Sequence, residues 1–126
     1  MGARDALARC EALPGAAAEF PFGPEAMVFK VGGRMFALFL GGRDAETVNL
    51  KCDPRFAEAL RDEHPGAITP GYHMNKRHWN TVRLDADLPG ELVADLVDHS
   101  YTLVVDGLPR RVRDALRPPA GQDATG

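Results

Sequence analysis

The stretch Met27-Val28-Phe29-Lys30-Val31-Gly32-Gly33-Arg34-Met35-Phe36-Ala37-Leu38-Phe39-Leu40 decides the fold. It holds two runs rich in Phe, Val and Leu, Met27 to Val31 and Met35 to Leu40, joined by Gly32-Gly33-Arg34. Branched and aromatic side chains suit a pleated surface, and glycines at the tip supply the backbone freedom of a tight turn. The pattern predicts an antiparallel hairpin. After the hairpin, Thr47 to Cys52 alternates as the next strand, with Gly41-Gly42-Arg43-Asp44 as the turn before it. On the other side, Glu19 to Phe22 predicts a short strand ended by Gly23-Pro24, since proline cannot donate to a ladder.

Helical spacing flanks this sheet. Ala3 to Leu13 carries Ala6, Leu7, Cys10 and Leu13 at helical intervals and stops at Pro14-Gly15. Asp53-Pro54 opens a second helix, because the carboxylate accepts from free amides and proline at the first helical position sacrifices no bond. Phe56, Ala57 and Leu60 are its inward positions, and it ends near His64-Pro65-Gly66. Ile68 to Met74 and Trp79 to Leu84 read as extended, with Asn75-Lys76-Arg77-His78 between them. Pro89 opens a third helix with an apolar stripe of Leu92, Val93, Leu96, Val97, Tyr101 and Val104, closed by Gly107. Arg110, Arg111 and Arg113 follow as a basic tail. The expected fold is α+β: a single antiparallel β-sheet with an N-terminal helix, a middle helix and a C-terminal helix packed on it. One domain is expected over residues 1–117, followed by a disordered tail over 118–126 whose composition favours fraying.

Composition narrows the function. A chain of 126 residues, 44% hydrophobic and 26% charged, can bury one core without metals or disulfides. No apolar run approaches the roughly 18 to 20 residues that span a bilayer, and the N-terminus lacks a signal-peptide pattern, so a cytoplasmic protein without a membrane partner is expected. Cys10 and Cys52 lack the spacing of a zinc site or a disulfide framework and read as reduced thiols. The net charge of −3 argues against indiscriminate coating of nucleic acid, which depends on phosphate neutralisation and counterion release. Any such binding must therefore be local.

The local candidate is Pro70-Gly71-Tyr72-His73-Met74-Asn75-Lys76-Arg77-His78-Trp79-Asn80-Thr81-Val82, inside a run from His64 to Leu84 with no Asp or Glu. Lys30, Arg34, Lys51, Lys76, Arg77 and Arg83 all fall on the sheet or its turns. Long cationic side chains position a phosphate backbone; Asn75, Asn80 and Arg77 are types that read base edges; Tyr72 or Trp79 can stack on an exposed base. The competing explanation is plain architecture: turns are polar anyway, Trp79 plugs the core, and the cations pair with neighbouring acids.

Several separated strings resemble the MmcQ/YjbR family. They are Phe20-Pro21-Phe22-Gly23-Pro24-Glu25, Val28-Phe29-Lys30-Val31-Gly32-Gly33, Asn49-Leu50-Lys51-Cys52, and Gly71 through Val82, with Ser100-Tyr101, Leu103-Val104 and Leu108-Pro109 fitting the last helix. The match runs nearly end to end. The resemblance implies an α+β domain with one antiparallel sheet flanked by helices, similar to the double-wing DNA-binding fold and to the frataxin-like shape, and it implies a DNA-binding label. Arg34 departs from the Lys that relatives often carry there, with the charge retained.

Other chemistry is weaker. His73 and His78 invite a metal, yet their spacing places them on opposite faces of a continuous strand unless a turn between them brings them together, and no carboxylate lies nearby, so structural histidines are expected and no metal or cofactor is assigned. Cys52 beside Lys51 at a helix start has features of a lowered thiol pKa, but core packing is the expectation for it. Ser100, the chain's one serine, falls in a helical pattern, and Asp62-Glu63 suits a solvated helix face. Gly32-Gly33 and Gly41-Gly42 lack the following helix of a phosphate loop and read as hairpin turns. Phe20, Phe22, Phe29, Phe36 and Phe39 are expected in the core. The reading is a non-enzymatic binding module for DNA, using Lys30, Arg34, Lys51, Tyr72, His73, Asn75, Lys76, Arg77, His78, Trp79 and Asn80. The alternative is a domain binding an acidic protein or a small anion; a third is an enzyme using the histidines.

Overall fold

The central hairpin forms where its sequence demands, with Gly32 and Gly33 at φ +58° and +80° making a tip that side-chain-bearing residues resist. A Cβ on Gly32 would lie 2.7 Å from the Leu108 side chain, so the tip also needs the space. In this computed structural model, which describes residues 1–116, the flanking strands are β2 (Ala26–Val31) and β3 (Arg34–Leu40). Around them run α1 (Ala3–Ala12), β1 (Ala17–Glu19), a single 3-10 turn at Gly42–Asp44, β4 (Thr47–Lys51), α2 (Pro54–Glu63), β5 (Ile68–Pro70), β6 (Trp79–Arg83), α3 (Gly90–Asp106) and α4 (Arg110–Leu116). The tail expected over 118–126 lies outside the described residues.

The six strands form one sheet in the order β1-β2-β3-β4-β6-β5, each neighbouring pair antiparallel. The expected α+β architecture with a single antiparallel sheet is what the chain adopts. All the packed helices lie on one face. There Met27, Phe29, Phe36, Phe39, Val48, Leu50, Ile68 and Val82 meet Leu7, Leu60, Val93, Leu96, Val97 and Val104 in the main core. Burying a Phe or Leu side chain stabilises the fold by about 1.5–3 kcal/mol, and Phe29, Phe36 and Phe39 are fully buried. Among the described residues the opposite face carries no helix and has a small apolar cluster of Ala26, Val28 and Leu38.

A bulge and a serine shape the centre of the sheet. The β2–β3 register slips between Phe29 and Lys30, so that Phe29 stands opposite Ala37 but Lys30 opposite Met35. Phe36 and Ala37 consequently both join the helix-side core. The β3–β4 ladder ends at Ala37 opposite Leu50. Just beyond it, buried Ser100 of α3 takes over: its Oγ accepts from Lys51 N at 2.9 Å and donates to Phe36 O at 2.6 Å. Ser100 thus fills the place of missing ladder bonds.

Three boundaries differ from the sequence expectation. The first strand is Ala17–Glu19 rather than residues 19–22, because the chain turns at Phe20, whose carbonyl accepts from Gly23 N at 3.3 Å. Phe20 and Phe22 therefore leave the core and are exposed at 48% and 80%. The extension expected over Ile68 to Met74 stops at Pro70, since Met74 N turns back onto Gly71 O at 3.2 Å. The stretch after Gly107, expected only as a basic tail, forms α4, started by Arg113 N on Pro109 O and held by Leu116, whose side chain packs on the main core beside Gly15. Among the described residues no helix is long and apolar enough to cross a membrane.

Candidate functional site

Strand direction gathers the cations. β2 and β4 run one way, β3 and β6 the other, so the ends of β2 and β4 share one edge with the starts of β3 and β6. Lys30 closes β2, Lys51 closes β4, Arg34 opens β3, and Lys76 and Arg77 lie in the turn immediately before β6. Arg34 Nη1 donates to Gly107 O at 3.2 Å, which brings the end of α3, and the exposed Arg110 and Arg111 that begin α4, to the same edge. The opposite edge carries Glu25 before β2, Asp44 and Glu46 between β3 and β4, Asp62 and Glu63 at the end of α2, and Asp85 after β6. There Arg83 is held by Asp85 at 3.0 Å and Arg43 stands 4.0 Å from Glu11. Asp53 after β4 and Asp106 at the end of α3 also lie at the first edge, but bases outnumber acids there, so the chain's net charge of −3 conceals a predominantly basic edge facing away from a predominantly acidic one.

The segment 71–78 is tied down over the helix-free face by a buried polar pair. Thr81 Oγ1 donates to Asn49 Oδ1 at 2.5 Å, Tyr72 N donates to Thr81 Oγ1 at 2.8 Å, and Asn49 Nδ2 donates to Tyr72 O at 3.0 Å. Asn49 and Thr81 sit opposite each other in the β4–β6 ladder, so both ends of the clamp come from the sheet. Gly71 lies where a Cβ would come within 2.7 Å of Trp79 Cβ, and His73 is forced to φ +60°, the left-handed region. Its ring stands 3.9 Å from that of Tyr72.

The sequence candidates divide. Lys30, Lys51 and Trp79 share the helix-free face at the basic edge, Lys51 opposite Trp79; Tyr72, His73, Asn75, Lys76 and Arg77 are exposed beside them, and His78 is half-buried. Several are already engaged. Lys30 pairs with Glu19 at 3.4 Å, Lys76 Nζ donates to Gly71 O at 3.2 Å, and Asn75 Oδ1 accepts from Arg77 N at 3.0 Å. Asn80 points away from the others: only 2% exposed, it accepts from Arg61 Nε at 2.7 Å and donates to Ala57 O at 3.4 Å on the helix side. A base edge cannot reach it there. Arg61, which also donates to the carbonyls of Lys76 and Trp79, fixes the turn from behind and carried no signal in the sequence beyond its position on α2.

An apolar groove of about 460 Å³ also opens on the helix-free face, lined by Phe22, Ala26, Met35, Leu38, Leu40, His73 and Met74. Its sequence signal was present in β2 and β3, where apolar residues occupy both alternating faces although only one is covered by helices.

Nucleophilic chemistry finds little support. Burial pushes the Cys10 thiol up to about 12, helped by Asp98, and the Cys52 thiol up to about 11, helped by Asp53. Both are neutral at physiological pH. Ser100 is spent on two backbone groups. Among the described residues no group of three or more His, Cys, Asp or Glu side chains is arranged to hold a metal ion.

Comparison with known proteins gives a consistent picture. A family model described as YjbR matches residues 11–103. The chain is 43% identical over 99 residues to the uncharacterized protein YbdF of Escherichia coli O157:H7, covering 79% of this chain and 80% of that one. It is 37% identical over 116 residues to the uncharacterized protein YjbR of Escherichia coli strain K12, covering 92% and 98%. A Deinococcus radiodurans protein of known crystal structure superposes with a TM-score of 0.84 at 42% identity, over 94% of this chain and 89% of the other.

Proposed function

We propose that this chain, which belongs to the YjbR family, is a DNA-binding module that receives the phosphate backbone on the basic edge of its sheet. The observation that carries the reading is the segregation of charge along the strands. Lys30, Lys51, Lys76 and Arg77 meet at one edge, with Arg34, Arg110 and Arg111 next to them, while Glu25, Asp44, Glu46 and Asp85 occupy the other. Such a distribution attracts a polyanion to one edge and repels it from the other, which orients the encounter as well as strengthening it. Half-buried Trp79 and exposed Tyr72 add flat surface beside the cations. The reading assigns no reaction; it is supported there by two buried, protonated thiols and a serine committed to backbone bonds.

Fluorescence anisotropy with labelled DNA over a salt series tests this reading. Affinity should fall linearly in log–log form as salt rises. Lys76→Ala combined with Arg77→Ala should weaken binding and reduce the slope by roughly 1 to 2, the counterions no longer released by two phosphate contacts. Both residues are exposed, so the fold should be kept. Binding that ignores salt, or a double variant with unaltered affinity and slope, removes the basic edge from the account.

A further inference from the structure

We infer that the groove on the helix-free face receives an unstacked nucleobase, making a single strand rather than a duplex the ligand; this deepens, and rests on, the nucleic-acid reading above. The basic edge and the groove are continuous. Met35 lines the groove and stands opposite Lys30 in the β2–β3 ladder, so a phosphate held near Lys30, Lys51 and Lys76 leaves its base at the groove's mouth. Lys30 is shared with Glu19 at 3.4 Å and Lys76 Nζ with Gly71 O at 3.2 Å, so Lys51 and Arg77 are the principal phosphate contacts, with Lys30 and Lys76 adding charge beside them.

The shape of the groove selects the strand form. A duplex hides the faces of its bases in the stack and is read by an element that projects into its major groove. Here the surface next to the cations is concave, about 460 Å³ and almost wholly apolar, which suits the face of a flat ring and offers nothing to a base-pair edge. Phe22 at its rim is 80% exposed and Tyr72 beside it 58%, aromatic area that the free protein leaves in water. Met35 and Met74 add unbranched, polarisable side chains that adapt to rings of different outline. Among the described residues His73 is the groove's one polar side chain, and it is held in a left-handed conformation by the Asn49–Thr81 clamp on its neighbour Tyr72. Strain of that kind persists where the surroundings over-determine it, as at ligand sites. With a single polar group in the lining, discrimination among the bases should be weak.

Three oligonucleotides of equal length separate the possibilities at fixed salt: oligothymidylate, the same backbone with abasic sites, and a duplex. The expected result is binding of oligothymidylate about tenfold tighter than the abasic chain, the effect of losing stacked bases, with equal salt slopes for the two. Exposed Phe22→Ser should remove most of that difference while leaving abasic binding unchanged. In methyl NMR, Met35 and Met74 should shift with oligothymidylate and stay still with the abasic chain. Equal affinity for the abasic chain, or tighter binding of the duplex, overturns the base-binding groove while sparing the basic edge. Absence of binding to all three overturns both. Shifts at Met35 and Met74 produced by an acidic apolar peptide and not by oligothymidylate assign the groove to a protein partner and likewise overturn the inference.

Discussion

Thr81 holds the segment 71–74 through a hydroxyl that gives its proton to Asn49 and accepts the amide of Tyr72. Asn49 is 1% exposed, so its carbonyl has no water to turn to if that partner is lost. Thr81→Val should therefore destabilise the protein by about 1–3 kcal/mol, the cost of leaving buried polar groups unpaired, measured by urea unfolding. A loss close to zero would mean that the clamp is not formed. The polar density of residues 70–82 was legible in the sequence, but the division of labour within it was not. Asn80 and Asn75 are the same residue type five positions apart, yet one is buried under α2 and the other caps a turn at the surface. Strand alternation sends Asn80 and Thr81 to opposite faces, and which face is covered depends on helices far away in sequence.

Among the elements, β2, β3, β4, α2 and α3 follow directly from periodicity and end signals, because each couples a strong apolar pattern to a turn or cap; within α2, however, Ala57 and Leu60 turn inward as expected while Phe56 is 41% exposed. Asp53 accepts from Arg55 N at 3.0 Å as its place before Pro54 requires. The failures are short elements whose bounds are set by partners. β1 forms where Ala17 and Glu19 meet Lys30 and Val28, not where aromatic residues are densest. α4 exists because Leu116 reaches the core beside Gly15, a contact no local pattern announces. Ser100 shows the same dependence: an isolated serine in an apolar helix reads as a minor irregularity, and only the sheet beneath supplies its two partners. Ser100→Ala should cost about 2–3 kcal/mol, since it strands an amide and a carbonyl at once. A thermal or denaturant midpoint equal to wild type would contradict the bridge between β3 and β4.

At the scale of the whole molecule, two properties follow from the arrangement of groups rather than from any single one. The first is a dependence of stability on alkaline pH. Folding holds Cys10 and Cys52 neutral up to about 12 and about 11, whereas an exposed thiol titrates near 9.0. The unfolded chain thus binds fewer protons above pH 9, so stability is intact below that pH and is lost as pH rises toward the folded values. Replacing both cysteines by alanine should flatten this decline, as followed by urea unfolding from pH 7 to 10; an unchanged decline would place its origin elsewhere. The second property is the opposition of basic and acidic edges. Lys30, Arg34 and Lys51 were assigned from sequence to the sheet and its turns, and the strand pairing brings them to one edge; the acidic counterpart across the sheet was not foreseen, because it needs the order β1-β2-β3-β4-β6-β5.

A backbone amide NMR titration with a short DNA strand tests that opposition most directly. Perturbed amides should cluster at residues 30–34, 51–53 and 71–79, growing weaker with added salt, while residues 24–26, 43–46 and 85–88 remain unmoved. Perturbations spread evenly over both edges, or confined to the acidic one, would contradict the account.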